Sequence, residues 1–161
     1  MGELHRAIHA AHKVRKESRG AMEAWRQACD RYRRHTSPMD EWLRQIDTIG
    51  LADSASLKDF AITFLEADPM YFRSGYIKAR LLHRLKAAQL DEREASRLAA
   101  VLMDAIRRRG QREFLDYCRL AATLRRPEVV AEAVRLADSA DGRVASRARM
   151  MLRYLRGEHR R

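Results

Sequence analysis

The chain has only two cysteines, three prolines and seven glycines in 161 residues. Two cysteines cannot staple a disulfide scaffold, and so little glycine and proline excludes a collagen-like chain. With 46% apolar residues the sequence also departs from the composition of a disordered tail. No apolar run reaches the roughly 18 residues that a membrane helix needs. The opening MGELHRAIHAAHKVRK has no apolar signal core, and Arg6 stands where a myristoylation signal has Ser or Thr. Missing too are a glycine-rich phosphate loop, a paired-cysteine metal motif and a serine nucleophile elbow. These absences read as a soluble, cytoplasmic, single domain over 1–161, with no cofactor, metal or small-molecule substrate and no membrane partner. They put binding ahead of catalysis.

What is abundant is positive charge: 33 Lys and Arg against 22 Asp and Glu, a net +11. The excess is patterned. Residues 1–36 carry nine bases against four acids and 37–68 two against seven, while 69–90 hold five bases and no acid. Residues 91–126 hold nine against six, 127–141 one against four, and 142–161 seven against one. Arg outnumbers Lys by 28 to 5. The guanidinium fork suits phosphate oxygens, although GC-rich coding produces the same ratio without a ligand.

Apolar spacing is helical throughout, with no segment of strand period, so the sequence predicts an all-α fold of about eight helices. Leu4, Ala7, Ile8, Ala11, Val14, Met22, Trp25, Cys29 and Tyr32 stay within one arc, which predicts a single amphipathic helix over 1–36, interrupted only at Ser18. Ser37-Pro38 opens a second helix that buries Met39, Trp42, Leu43, Ile46 and Ile49 and stops at Gly50. Ser56 through Asp59 resembles a capping box for a third, and Asp68-Pro69 starts a fourth with Ile77, Leu81, Leu82 and Leu85 inward. Asp91 opens a fifth, with Ala95, Leu98, Ala99, Leu102 and Ile106 inward, and Arg107 to Gly110 ends it.

Beyond this bundle segment (37–110), residues 111–156 repeat at a spacing of 15. Phe114, Val129 and Val144 align, as do Cys118, Ala133 and Ala148, then Ala121, Leu136 and Met151, and Ala122, Ala137 and Leu152. Short turns between such helices predict antiparallel neighbours. Pro127-Glu128-Val129-Val130-Ala131-Glu132-Ala133 and Asp141-Gly142-Arg143-Val144-Ala145-Ser146-Arg147-Ala148 resemble the helices of HEAT and armadillo-like repeats. The resemblance covers Gln111 to Leu155 and implies an elongated interaction scaffold rather than a chemistry.

Two basic helix faces are the candidate sites. Arg73, Arg80 and Arg84 fall in a narrow arc with Tyr76 beside them, and an Arg stripe with an aromatic neighbour can hold a phosphate backbone and stack a base. On the last helix Arg143 and Arg147 flank the apolar stripe on one side and Arg149, Arg153 and Arg156 on the other, which predicts five arginines around an exposed arc. These nine residues point to nucleic acid or a nucleoprotein assembly. An adaptor reading stands beside it, in which the N-terminal helix pairs with a copy of itself and the basic faces meet an acidic protein. His5, His9 and His12 share a helix face, but with Lys16 on the same face and no carboxylate they read as a solvated stripe rather than a metal site. Cys29 and Cys118 read as small buried hydrophobes. Some HEAT-like proteins resemble glycosylases, and a base-processing site would need Asp116 or Glu113 beside Arg73 or Tyr76.

Overall fold

The computed structural model describes residues 2–34, 38–52, 54–70, 74–108 and 113–158, with the side chains of 2, 4, 5, 32–34 and 38 not described. These residues form nine helices: α1 (Gly2–Val14), α2 (Arg19–Arg34), α3 (Pro38–Thr48), α4 (Ala55–Ala67), α5 (Ser74–Leu85), α6 (Glu92–Arg107), α7 (Phe114–Leu124), α8 (Pro127–Leu136) and α9 (Gly142–Leu155). There is no strand among them, so the chain is all-α. None of the described helices is long and apolar enough to cross a membrane. Two compact units divide at residues 45 and 46, inside α3.

In the first unit the single helix over 1–36 is instead a hairpin, with α1 and α2 packed on each other. The break falls at the polar residue that interrupts the stripe. The Glu17 N–H donates to the Val14 carbonyl at 3.0 Å, closing a turn, and the Ser18 hydroxyl accepts from the Ala21 N–H at 3.0 Å. Ser18 thus satisfies one of the free donors at the start of α2, as N-terminal caps do. A helical wheel cannot detect this, because two helices that face each other bury the same arc as one continuous helix. Across the hairpin, the His12 and Trp25 rings are 6.0 Å apart and the Arg15 guanidinium lies 5.9 Å from the Trp25 centroid.

Local signals place most of the second unit. Gly50 has φ +85 and donates to the Ile46 carbonyl, which ends α3 before Ile49; Ile49 is therefore exposed, and Leu51 takes the buried position. The N-cap of α4 is Ser54, which accepts from Leu57, rather than Ser56. Asp68 does not open the next helix but closes α4 in a left-handed conformation (φ 42), and Pro69 follows it. Helix α6 has a full capping box between Asp91 and Glu94 and buries all five residues assigned inward. The aligned positions of the last three helices are buried too, except Ala122 and Ala137, which are half-buried, and Cys118, Ala133 and Ala148 are fully enclosed.

The helices alternate between two layers. In one, α4 packs on α6 and α6 on α8; in the other, α5 packs on α7 and α7 on α9. Pairs α4–α5, α6–α7 and α8–α9 join the layers. The expectation of antiparallel sequence neighbours fails between α7 and α8, which are not among the closely packed pairs. Arg125 adopts a left-handed conformation and Arg126 an extended one before Pro127, and this two-residue turn carries the chain across to the other layer.

Candidate functional site

Sorting side chains by layer separates the charge. Helices α4, α6 and α8 hold five bases (Lys58, Arg93, Arg97, Arg107, Arg135) against seven acids (Asp59, Glu66, Glu92, Glu94, Asp104, Glu128, Glu132). Helices α5, α7 and α9 hold eight bases (Lys78, Arg80, Arg84, Arg119, Arg143, Arg147, Arg149, Arg153) against Asp116 alone. The acids of the first layer are engaged by neighbouring helices. Arg97 reaches from α6 to Asp59 at 2.6 Å and Glu66 at 2.7 Å, Lys58 reaches Glu94 at 3.0 Å, and Arg107 pairs with Glu132. Arg126 spans from the α7–α8 turn to Glu92 at 2.6 Å. Hydrogen bonds from Arg97 and Arg126 hold the carboxyls of Glu66 and Glu92 below the ordinary range. Apart from Arg93, which is exposed and forms no ion pair among the described residues, that layer is electrostatically closed on itself.

The basic layer is not. On α9 Arg143, Arg149 and Arg153 are exposed, as is Arg156 at its C-terminal cap. The helix contains no acid, its N-cap Asp141 being engaged by backbone N–H groups and feeling the charges of Arg147 and Arg143, and none of the four arginines forms an ion pair among the described residues. Arg149 donates to the Ala137 carbonyl at 3.0 Å, which caps the end of α8 while leaving the side chain in solvent. Arg147 departs from the expected arc. It is buried and donates to the carbonyls of Ile106 at 2.7 Å and Arg107 at 3.1 Å, satisfying the C-terminal end of α6. No wheel of α9 alone could show this, since the acceptors lie about forty residues away in sequence.

The stripe on α5 is partly neutralised: Arg80 and Arg84 both pair with Asp47, which lies at the end of α3. Tyr76 is 62% exposed on the same helix, and Arg73 lies outside the described residues. On α7 Arg119 pairs with Asp116 at 2.8 Å and also reaches Tyr154 of α9.

A second cluster escaped the sequence reading. Lys78 of α5 is fully buried, with Nζ 2.5 Å from Asp68 and 3.8 Å from the buried Glu113. Asp68 also accepts from Arg108 at 2.6 Å, and Arg108 pairs with Asp104 at 3.1 Å. Burial opposes ionisation of Asp68, yet the hydrogen bonds from Lys78 and Arg108 prevail and hold its carboxyl below the ordinary value. Gly75 makes the room: a Cβ there would lie 3.0 Å from the Glu113 carboxylate. A cavity of about 110 Å³ adjoins the cluster, lined by Leu65, Val101, Phe114 and Tyr117 and by the engaged carboxylates Glu66, Asp68 and Asp104. With a lysine spaced like a core residue, the only available signal was position 78 falling in the arc of Leu81 and Leu85.

The remaining candidates have plain surroundings. Asp116 is paired with Arg119, and Glu113 faces Lys78 and Gly75. Partial desolvation and then the charges of Arg15, His9 and Lys16 lower the pKa of His12. The side chain of His5 lies outside the described residues. Among the described residues no group of three His, Cys, Asp or Glu side chains could hold a metal ion. Cys29 is half-buried, while Cys118 is enclosed and burial pushes its thiol up to about 12. Compared with family models, curated proteins and solved structures, the chain matches none of them.

Proposed function

We propose that this protein is a non-catalytic, cytoplasmic binding module that holds the phosphate backbone of nucleic acid on the exposed face of α9. The observation that carries the reading is that Arg143, Arg149, Arg153 and Arg156 share that face without an acid on the helix or an ion pair of their own among the described residues. Arginines elsewhere in the second unit, by contrast, are largely spent on Asp or Glu partners. Arg143 to Arg156 spans about 20 Å at 1.5 Å per residue, enough to follow several phosphates. The HEAT-like resemblance of residues 111–155 implies a scaffold that presents an extended face.

Fluorescence anisotropy with labelled oligonucleotides across a salt series tests this. Four phosphate contacts give a slope of log K against log salt of about −2.8 for a single strand and about −3.6 for a duplex. Replacing Arg143, Arg153 and Arg156 by Gln, which spares the cap made by Arg149, should bring the slope to about −0.7 for a single strand. Absence of binding at low salt sinks the proposal. The second reading is an adaptor for an acidic protein or a second copy of the chain. Val130 and Val134, exposed one turn apart on α8, favour it, because paired apolar side chains in solvent mark protein interfaces.

A further inference from the structure

Resting on the phosphate-binding reading of α9, we infer that the ligand of the basic layer is single-stranded nucleic acid, whose unpaired bases lie against Tyr76, Leu115 and Met150. Each helix of that layer exposes one large apolar side chain: Tyr76 on α5 (62%), Leu115 on α7 (41%) and Met150 on α9 (37%). The opposite layer has none on α4 or α6. Apolar side chains beside the arginines of α9, which form no ion pair among the described residues, are a poor match for the outside of a duplex, which offers sugars and phosphates. Three helices side by side at 8–10 Å make a face about 20 Å across, wider than the major groove of about 12 Å. Side chains on α5 and α7 therefore cannot follow α9 into a groove to reach base edges. A single strand removes the conflict, because its bases splay away from the backbone and stack on apolar or aromatic surface while arginines hold the phosphates. Met150 lies between Arg143 and Arg153 on the wheel of α9, so base and phosphate contacts alternate along one path.

The test compares the full chain with a Tyr76→Ala/Met150→Ala variant, titrated onto a labelled mixed-sequence 20-mer and onto the same sequence as a duplex at one salt concentration. The single strand should bind at least about ten-fold tighter, and the variant should lose about five-fold or more on the single strand alone with its salt slope unchanged. Equal affinity for the two forms, or an equal loss on both, overturns the single-strand inference and leaves the phosphate reading standing. No binding to either form overturns both. Competition by poly-glutamate at equal charge concentration also overturns it, in favour of an acidic protein partner. Both substitutions are at exposed positions, and an unchanged melting curve verifies that the variant is folded.

Discussion

Replacing Lys78 with Met removes the one cation that Asp68 and Glu113 share in the interior of the second unit. The new side chain is apolar and close in length, so packing around it changes little; what changes is charge. Asp68 keeps Arg108, at 2.6 Å, but Glu113 is 4% exposed and its ion pair is with Lys78. Breaking a buried pair by removing one member costs about 3–5 kcal/mol, because the other is left charged and unsolvated. For a unit of this size about 4 °C accompanies each kcal/mol, so the melting temperature should fall by roughly 10–20 °C at about pH 7. The penalty belongs to the Glu113 carboxylate, left buried without its cation. A Lys78→Met/Glu113→Gln double variant should regain most of the loss. Thermal and urea unfolding followed by circular dichroism measures both. An unchanged or raised melting temperature for Lys78→Met at neutral pH would refute the reasoning.

Three further outcomes follow from the geometry. Arg147→Met should destabilise by about 2–3 kcal/mol, the usual worth of charge-assisted hydrogen bonds, without changing the salt slope of nucleic-acid binding; a changed slope would place Arg147 in the interface. The carboxyls of Glu66, Asp68, Glu92 and Glu132 have depressed folded-state values, so their contribution is complete above about pH 5 and is lost as pH falls through those values. Melting temperature should accordingly drop between about pH 5 and pH 3, and a flat profile would contradict the ion-pair geometry. Cys118, with its thiol near 12, should resist a thiol reagent at about pH 8 in the native protein and react only on unfolding, as mass spectrometry of the labelled peptides would show.

The stop at Gly50, the start of α6 at Asp91 and the inward face of α6 were legible because each depends on residues within a turn or two of one another. Where the sequence misled, a local pattern had two tertiary solutions. A stripe interrupted at Ser18 is one helix or two facing helices, and a serine at 54 or 56 can cap α4 equally well until the chain entering it is placed. The last helix shows the same division inside the candidate site. Its surplus of arginine and lack of acid are properties of fourteen consecutive residues, and they can be read directly. That Arg147 turns inward, however, depends on the carbonyls of Ile106 and Arg107, which only the packing of α9 on α6 brings near.

The sequence by itself therefore determined helical content, most element boundaries and the existence of a basic excess, since these arise from side-chain periodicity, capping and composition along the chain. Tertiary structure decided where the charge goes. Successive helices of the second unit fall in opposite layers, so linear blocks of mixed sign sort into one layer whose acids are bound by neighbouring bases and one whose last helix, with its C-cap, exposes four arginines that form no ion pair among the described residues. Coulombic neutralisation acts over a few ångströms in space, and residues thirty or forty apart in sequence become partners only when the layers form.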